Sequence, residues 1–302
     1  MSVITTGSHP KALWPGIKKW WGMEYNQYTR IWTQLFTSDT SEQNYEEDAE
    51  DVGFGLLSVK NQSGGIFYDT AQQGTISRYT HVTYGLGYMV TMEELQDNLY
   101  EKLSFRRTSR LARSVYETEE VVHANVFNRA FNSTFTGGDG VQLIASTHPT
   151  ASGNQSNILA TPADISETAI EDMCTQITQA TDARGLRFLN KPRCLLVPST
   201  SWFEANRIVK SVAQNDTANN AVNVIKMLNV FPDGIIMNPY LTDNDAWFIR
   251  TDCPDGLTHY TRMAATFDKD NDFDTKNLKA SVIMRWSQGW SNFRQVYGSQ
   301  GA

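Results

Sequence analysis

Cysteine is scarce, and Cys174, Cys194 and Cys253 show no Cys-x-x-Cys spacing. That excludes a disulfide framework and a cysteine-rich zinc site, and it fits a reducing compartment. No run approaches the roughly 18 apolar residues of a membrane span, and Met1 to Thr6 lacks the basic start and apolar stretch of a secretory leader. Positive charge is also short, with 26 Lys and Arg against 33 Asp and Glu and a net charge of −7. A protein that reads DNA sequence would need a phosphate-neutralising surplus that this chain lacks.

Catalytic signatures are missing as well. The dipeptide Gly-Lys does not occur, so no Walker-type loop exists, and Gly53-Phe54-Gly55 and Gly85-Leu86-Gly87 lack the third glycine of a dinucleotide fingerprint. There is no Gly-x-Ser-x-Gly elbow and no His-Glu-x-x-His helix. His9, His81, His123, His148 and His259 are scattered. Asp268, Asp270, Asp272 and Asp274 alternate, but a calcium loop would need glycine where Phe273 stands and glutamate where Lys279 stands. No catalytic residue, cofactor site or metal site is expected.

What is present is an ordinary globular composition: 302 residues, 40% hydrophobic and 20% charged, enough for a sizeable core. Half of the eight tryptophans, Trp14, Trp20, Trp21 and Trp32, fall in the first fifty residues. Tyr25, Tyr28, Trp32, Leu35 and Phe36 follow helical 3/4 spacing from Met23 onward, which predicts an amphipathic helix on an N-terminal arm. Residues 38–51 are polar and acidic and read as a solvated connector. Residues 56–70 and 75–90 alternate in the manner of strands, with 71–74 as a turn, which predicts a long two-stranded hairpin. Fifteen extended residues span about 50 Å, against a radius of gyration near 19 Å for a compact fold of this length. Such a hairpin needs support from a sheet or a neighbouring subunit.

Thr91 with Glu94 forms a capping box that opens a long helix. Leu95, Leu99, Leu103, Leu111, Val115, Val122, Val126 and Ala130 keep its spacing up to Gly137. Arg106, Arg107, Arg110 and Arg113 share that helix with Glu117, Glu119 and Glu120, which reads as a solvated or salt-bridged face. An α/β alternation follows: a helix capped by Asp164 and Glu167, a buried-type strand at 193–198, a helix from Ser201, and further strands or connections at 224–236 and 246–250. Residues 258–267 and 278–290 form a last extended pair around an acidic turn. The fold class is α+β with elongated β appendages.

The ordered pieces Gly138-Asp139-Gly140, Ser146-Thr147-His148-Pro149, Gln155-Ser156-Asn157, Leu195-Leu196-Val197-Pro198, Asp243-Asn244-Asp245-Ala246-Trp247 and Tyr297-Gly298-Ser299 carry a resemblance. With them the sequence resembles the major head (capsid) subunit of Mu-like phages and prophages. The resemblance implies the Hong Kong 97-like capsid fold: an arm (1–51), an extended loop (52–90), a peripheral domain with a spine helix (91–136), an axial domain (137–255) and peripheral return strands with the C-terminus (256–302). It implies self-assembly as hexamers and pentamers into an icosahedral shell around double-stranded DNA held without sequence-specific contacts. Separate scaffold, protease and portal proteins, and a decoration protein, would be partners, with no membrane involved. The protein would reside in the virion and assemble in the host cytoplasm.

Two other readings compete: an encapsulin-like compartment shell, and a soluble hydrolase or carbohydrate-binding module. Intersubunit contacts are expected at Trp14, Trp20, Trp21, Trp32 and Phe36 of the arm, at Ile66, Tyr68, Ile76 and Arg78 of the loop, and at Asp270 and Asp272 of the acidic turn. On this reading a chain without residues 1–36 still folds but does not assemble.

Overall fold

A computed structural model describes residues 14–96, 100–213, 222–272, 274–275 and 277–302, with side chains from 21 to 94 and from 106 onward. In chain order the elements are α1 (Trp14–Gln27), β1 (Thr37–Thr40), β2 (Tyr45–Asp51), β3 (Gln73–Thr80), β4 (Val82–Val90), α2 (Met92–Gln96), α3 (Tyr100–Asn128), β5 (His148–Thr150) and β6 (Gly153–Gln155). They continue with α4 (Glu167–Thr178), β7 (Pro192–Val197), α5 (Trp202–Lys210), α6 (Val224–Met227), β8 (Ile235–Met237), β9 (Trp247–Thr251), β10 (Leu257–Asn271), β11 (Leu278–Trp290) and β12 (Val296–Ser299).

Two four-stranded sheets organise the molecule. The first runs β1-β10-β11-β4 and the second β12-β9-β7-β8. In β11 the alternate residues Leu278, Ala280, Val282, Met284 and Trp286 are all buried, as period-two patterning demands of a sheet with one covered face. They pack against Leu111, Ala112 and Val115 of α3 and against Trp21 of α1. The second sheet is covered on both faces, and β7 is apolar at every position from Cys194 to Val197 for that reason. Cys194 and Leu196 enter one core with Phe127 and Phe248, while Leu195 and Val197 enter another with Ile170, Met173 and Ile208.

Several local expectations hold. The Thr91 hydroxyl accepts from the amide of Glu94 at 3.3 Å and caps α2, while the Glu94 carboxylate pairs with Arg107 at 2.9 Å. The last extended pair is β10 and β11, antiparallel from Leu257 opposite Trp290 to Asn271 opposite Leu278. The fourth helix is capped two residues later than expected, because Ser166 rather than Asp164 accepts from the amide of Ala169. Residues 224–236 hold the short helix α6 and the strand β8.

Other expectations are corrected. The hairpin does not pair 56–70 with 75–90 about a turn at 71–74. Instead β2, inside the supposed connector, pairs antiparallel with β3, and residues 52–72 carry no strand. The second half of the expected strand leaves the ribbon at His81 and joins the first sheet as β4. Alternation is common to all of these segments and does not say which one pairs with which.

The aromatic arm is not one helix from Met23. Helix α1 ends at Gln27, and Trp32, Leu35 and Phe36 follow it into the chain's own core. Trp21, Trp32 and Phe36 are 6, 8 and 5% exposed, so their expected role in meeting a neighbour is corrected. Trp32 lies against His123 with ring centroids 4.4 Å apart, and Trp21 stacks on Phe267 at 5.3 Å. The side chains of Trp14 and Trp20 lie outside the described residues. Removing residues 1–36 would take Trp32, Leu35 and Phe36 out of this core, which argues against the arm's expected dispensability for folding.

Nor are Glu119 and Glu120 of α3 on a solvated face. Glu119 accepts from Tyr25 at 2.9 Å and from Arg30 at 2.5 Å, and Glu120 accepts from the amide of Ile31 at 2.7 Å. These carboxylates fasten the arm to the long helix.

Candidate assembly surface

The ribbon of β2 and β3 is fixed at its base by an almost fully buried arginine. Arg294 donates from Nη1 to Glu50 at 3.1 Å, and from Nε to Gln155 and to the carbonyl of Thr181 at 3.0 and 2.9 Å. On the neighbouring strand, the Tyr79 hydroxyl meets that of Ser291 at 2.6 Å. Burial pushes the Tyr79 phenol well above its usual range. Gly138 fits against the same strand: a Cβ there would lie 2.4 Å from the carbonyl oxygen of Ile76, so only glycine allows the approach.

Beyond this base the chain makes a closed neck. Asp69 accepts from the amide of Gly55 at 2.8 Å and from Arg184 Nη1 at 2.5 Å, while Arg184 Nη2 donates to the carbonyl of Thr70 at 2.6 Å. Amides of Gly55 and Thr70, together with the Arg184 guanidinium, hold the Asp69 carboxyl below the usual carboxylate range. Past the neck the chain presents apolar groups to water. Phe54, Leu56, Leu57, Val59, Ile66, Phe67 and Tyr68 are between 65 and 100% exposed. Apolar surface this concentrated on one limb marks an interaction site.

The loop residues named from sequence divide accordingly. Ile66 and Tyr68 lie on the tip and Ile76 is half-exposed on β3. Arg78 sits over the Tyr45 ring at 3.9 Å and 3.8 Å from Glu47. In the acidic turn Asp270 is exposed, while Asp272 is paired with Lys279 at 2.6 Å within the chain.

Sequence reasoning missed a second apolar surface around α5 and α6, where Phe203, Val212, Val222, Met227 and Leu228 are 60 to 76% exposed. Its signal was available in the run Val222 to Leu228, which is richer in apolar groups than a four-residue helix can bury.

The buried histidines sit in packed hydrogen-bond networks: His81 has Nε2 2.9 Å from the Ser41 hydroxyl and Nδ1 3.0 Å from that of Ser287. His148 is buried and stacked on Phe293 at 3.8 Å, with Nδ1 2.6 Å from Asp139 and Nε2 3.1 Å from the Asn157 amide oxygen. No hydroxyl or thiol stands at either nitrogen. His123 and His259 meet at 2.9 Å. The carbonyl of Glu119 accepts from Nδ1 of His123, so Nε2 of that ring accepts from Nδ1 of His259. Burial lowers their pKa values to about 3 and about 4. Among the described residues no group of three or more His, Cys, Asp or Glu could hold a metal ion, and no helix is long and apolar enough to cross a membrane. Burial raises the Cys174 and Cys253 thiols to about 12, which disfavours the reactive thiolate.

Two sheets, a long helix along one of them and a projecting ribbon define an α+β shell-protein architecture, the Hong Kong 97-like fold. The capsid of the cyanophage P-SCSP1u is similar, with a TM-score of 0.61 and 10% identity over 91% of this chain and 88% of that one. The capsid of an empty GTA particle gives 0.59 and 10% over 91% of both. A virus-like particle from Pyrococcus furiosus gives 0.56 and 11% over 94% of this chain and 98% of that one. At these identities the likeness is one of fold. No curated protein matches the chain in sequence. The family model described as phage capsid protein matches residues 74–297, well over half of the chain, and the protein belongs to that family.

Proposed function

We propose that this chain is the major head subunit of a Mu-like tailed phage or prophage. Copies assemble as hexamers and pentamers into an icosahedral shell that encloses double-stranded DNA without reading its sequence. The observation that carries the reading is the apolar tip at 54–68, held out on an anchored ribbon and unable to bury itself on its own chain. Each copy then gains its missing burial from a neighbour, and many modest interfaces close a lattice.

In this reading residues 1–51 form the arm, 52–90 the extended loop, 91–136 the spine, 137–255 the axial domain and 256–302 the return strands. Ile66, Tyr68, Ile76 and Arg78 meet an adjacent subunit, and the turn bearing Asp270 and Asp272 approaches a local threefold contact. The surface around α5 and α6 supplies a further contact between axial domains. Scaffold, protease, portal and decoration functions belong to separate proteins. The subunit performs no reaction, assembles in the host cytoplasm and ends in the virion.

Electron microscopy and light scattering of the purified chain, with scaffold supplied, test the reading. Closed shells are expected. A monodisperse species near 34 kDa under assembly conditions overturns it. Shells that copurify with a small enzyme instead of DNA and portal would replace the phage head by an encapsulin-like compartment.

A further inference from the structure

Helix α3 carries a stripe of positive charge in an otherwise acidic protein. Arg106, Arg110 and Arg113 are exposed and stand four and then three residues apart. At 3.6 residues per turn they fall within about 60° of one another around the helix and along about 10 Å of its axis. Leu111, Ala112 and Val115, which pack against the first sheet, lie on the opposite side of the same turns. The stripe therefore points away from the subunit's own core.

The fold has also drawn off the carboxylates that the sequence places on this helix. Glu119 and Glu120 hold the arm, and Glu94 pairs with Arg107 at 2.9 Å. Glu24 of α1 borders the stripe, accepting from the Ser109 hydroxyl at 3.1 Å. Arg113 meets Glu117 at 2.8 Å in an exposed pair of little strength. The side chains of Arg106 and Arg110 engage none of the described residues. By contrast Arg30, Arg78, Arg184, Arg193, Arg207 and Arg294 each lie within reach of a carboxylate of this chain.

Two unpaired guanidiniums about 6 Å apart along a helix axis suit a polyanion of regular charge. Double-stranded DNA carries one negative charge per about 1.7 Å of its axis, so both arginines can meet a phosphate in any register and on any sequence. From Arg106 to Glu117 the same face holds Ser109 and Ser114 and no apolar side chain. An acidic peptide would find nothing there to anchor in, whereas a charge-assisted bond to phosphate needs no apolar pocket.

We propose that this stripe is where the shell touches its packaged duplex, with Arg106 and Arg110 donating to phosphate oxygens and to no base. The subunit is then seated with the stripe side of α3 toward the cargo. Two contacts per copy are weak singly, and repetition over a lattice makes them hold the DNA next to the wall without a preferred sequence. The inference rests on the shell-subunit reading and adds to it the face that meets the DNA.

Fluorescence anisotropy of a short mixed-sequence duplex with the full-length chain, across a salt series, tests it. Arg106→Gln with Arg110→Gln should weaken binding about tenfold or more at low salt. It should also reduce the slope of log K against log salt by about 2, since each phosphate contact contributes about 0.9. Arg187→Gln with Lys191→Gln, which removes equal charge from another exposed site, should change neither quantity, and a scrambled duplex should bind the wild type equally well. Thermal unfolding of both variants should match the wild type, because all four side chains are on the surface. Filled heads of the Arg106, Arg110 double variant should form in wild-type yield and lose the ultraviolet protein–DNA cross-links that wild-type heads give within residues 100–117. A double variant that binds like the wild type, a control that weakens as much, or a wild-type chain that binds no duplex overturns the contact. A double variant that folds but no longer closes shells shows that the stripe meets protein, and a particle map with Arg106 and Arg110 on the outer surface shows that it does not face the cargo; either overturns it as well. A wild-type chain that binds duplex through the stripe yet never forms particles supports the phosphate contact and overturns the shell reading alone.

Discussion

Replacing Leu57, Val59 and Phe67 together by serine separates folding from assembly. These side chains are 100, 93 and 70% exposed, so the isolated subunit loses almost no burial with them. Exposed substitutions of this kind change stability by roughly 0.5 kcal/mol or less. In a shell where each is covered, full burial contributes about 1.5–3 kcal/mol per side chain, so the triple variant forfeits about 5–9 kcal/mol per copy at that contact. Since 1.4 kcal/mol is a tenfold change in an equilibrium constant, the concentration needed for shells should rise at least about a thousandfold. Thermal unfolding of the free subunit and light scattering across a concentration series measure the two sides. A large fall in Tm would show that the tip packs on its own chain. Shells at the wild-type threshold would show that it packs on nothing, and either result refutes the reasoning.

Arg294→Leu should lower stability by about 3–5 kcal/mol, the usual cost of leaving partners of a buried charge unpaired. It should also make residues 52–72 cut faster in limited proteolysis, because Glu50 loses its anchor. Acid should weaken the fold through His123 and His259: their folded values, about 3 and about 4, lie below the ordinary 6.5, so the unfolded chain takes up protons first. Their contribution is complete above pH 6.5 and is lost as pH falls towards 4, at up to about 1.4 kcal/mol per pH unit for each ring. Urea midpoints between pH 7 and 5 should therefore fall more steeply for the wild type than for His259→Gln, and parallel slopes would contradict the assignment.

Elements whose identity rests on near neighbours were legible from the chain alone. The Thr91 cap, the long helix after it and the strands at 258–267 and 278–290 follow from backbone hydrogen-bond geometry, which imposes its 3.6- and 2-residue periods on adjacent positions. The lack of nucleotide and nucleophile motifs was equally plain. The resemblance of scattered short motifs pointed to a phage capsid, and the family to which the chain belongs agrees.

Pairing and burial are different, because they depend on surfaces far apart in sequence. From sequence, residues 56–70 were expected to face β3 and 45–51 to be a connector; only the folded chain selects the acidic segment, where Glu50 reaches Arg294 across 244 positions. Trp32 and Phe36 had the composition of an arm that seeks a neighbour, yet His123 and Phe127 were already waiting inside the same subunit. The loop tip had no such partner and stayed in water. Sequence thus determined which segments are apolar and which backbone they favour; tertiary structure decided which of them find their complement at home, since that depends on three-dimensional proximity that no local pattern encodes.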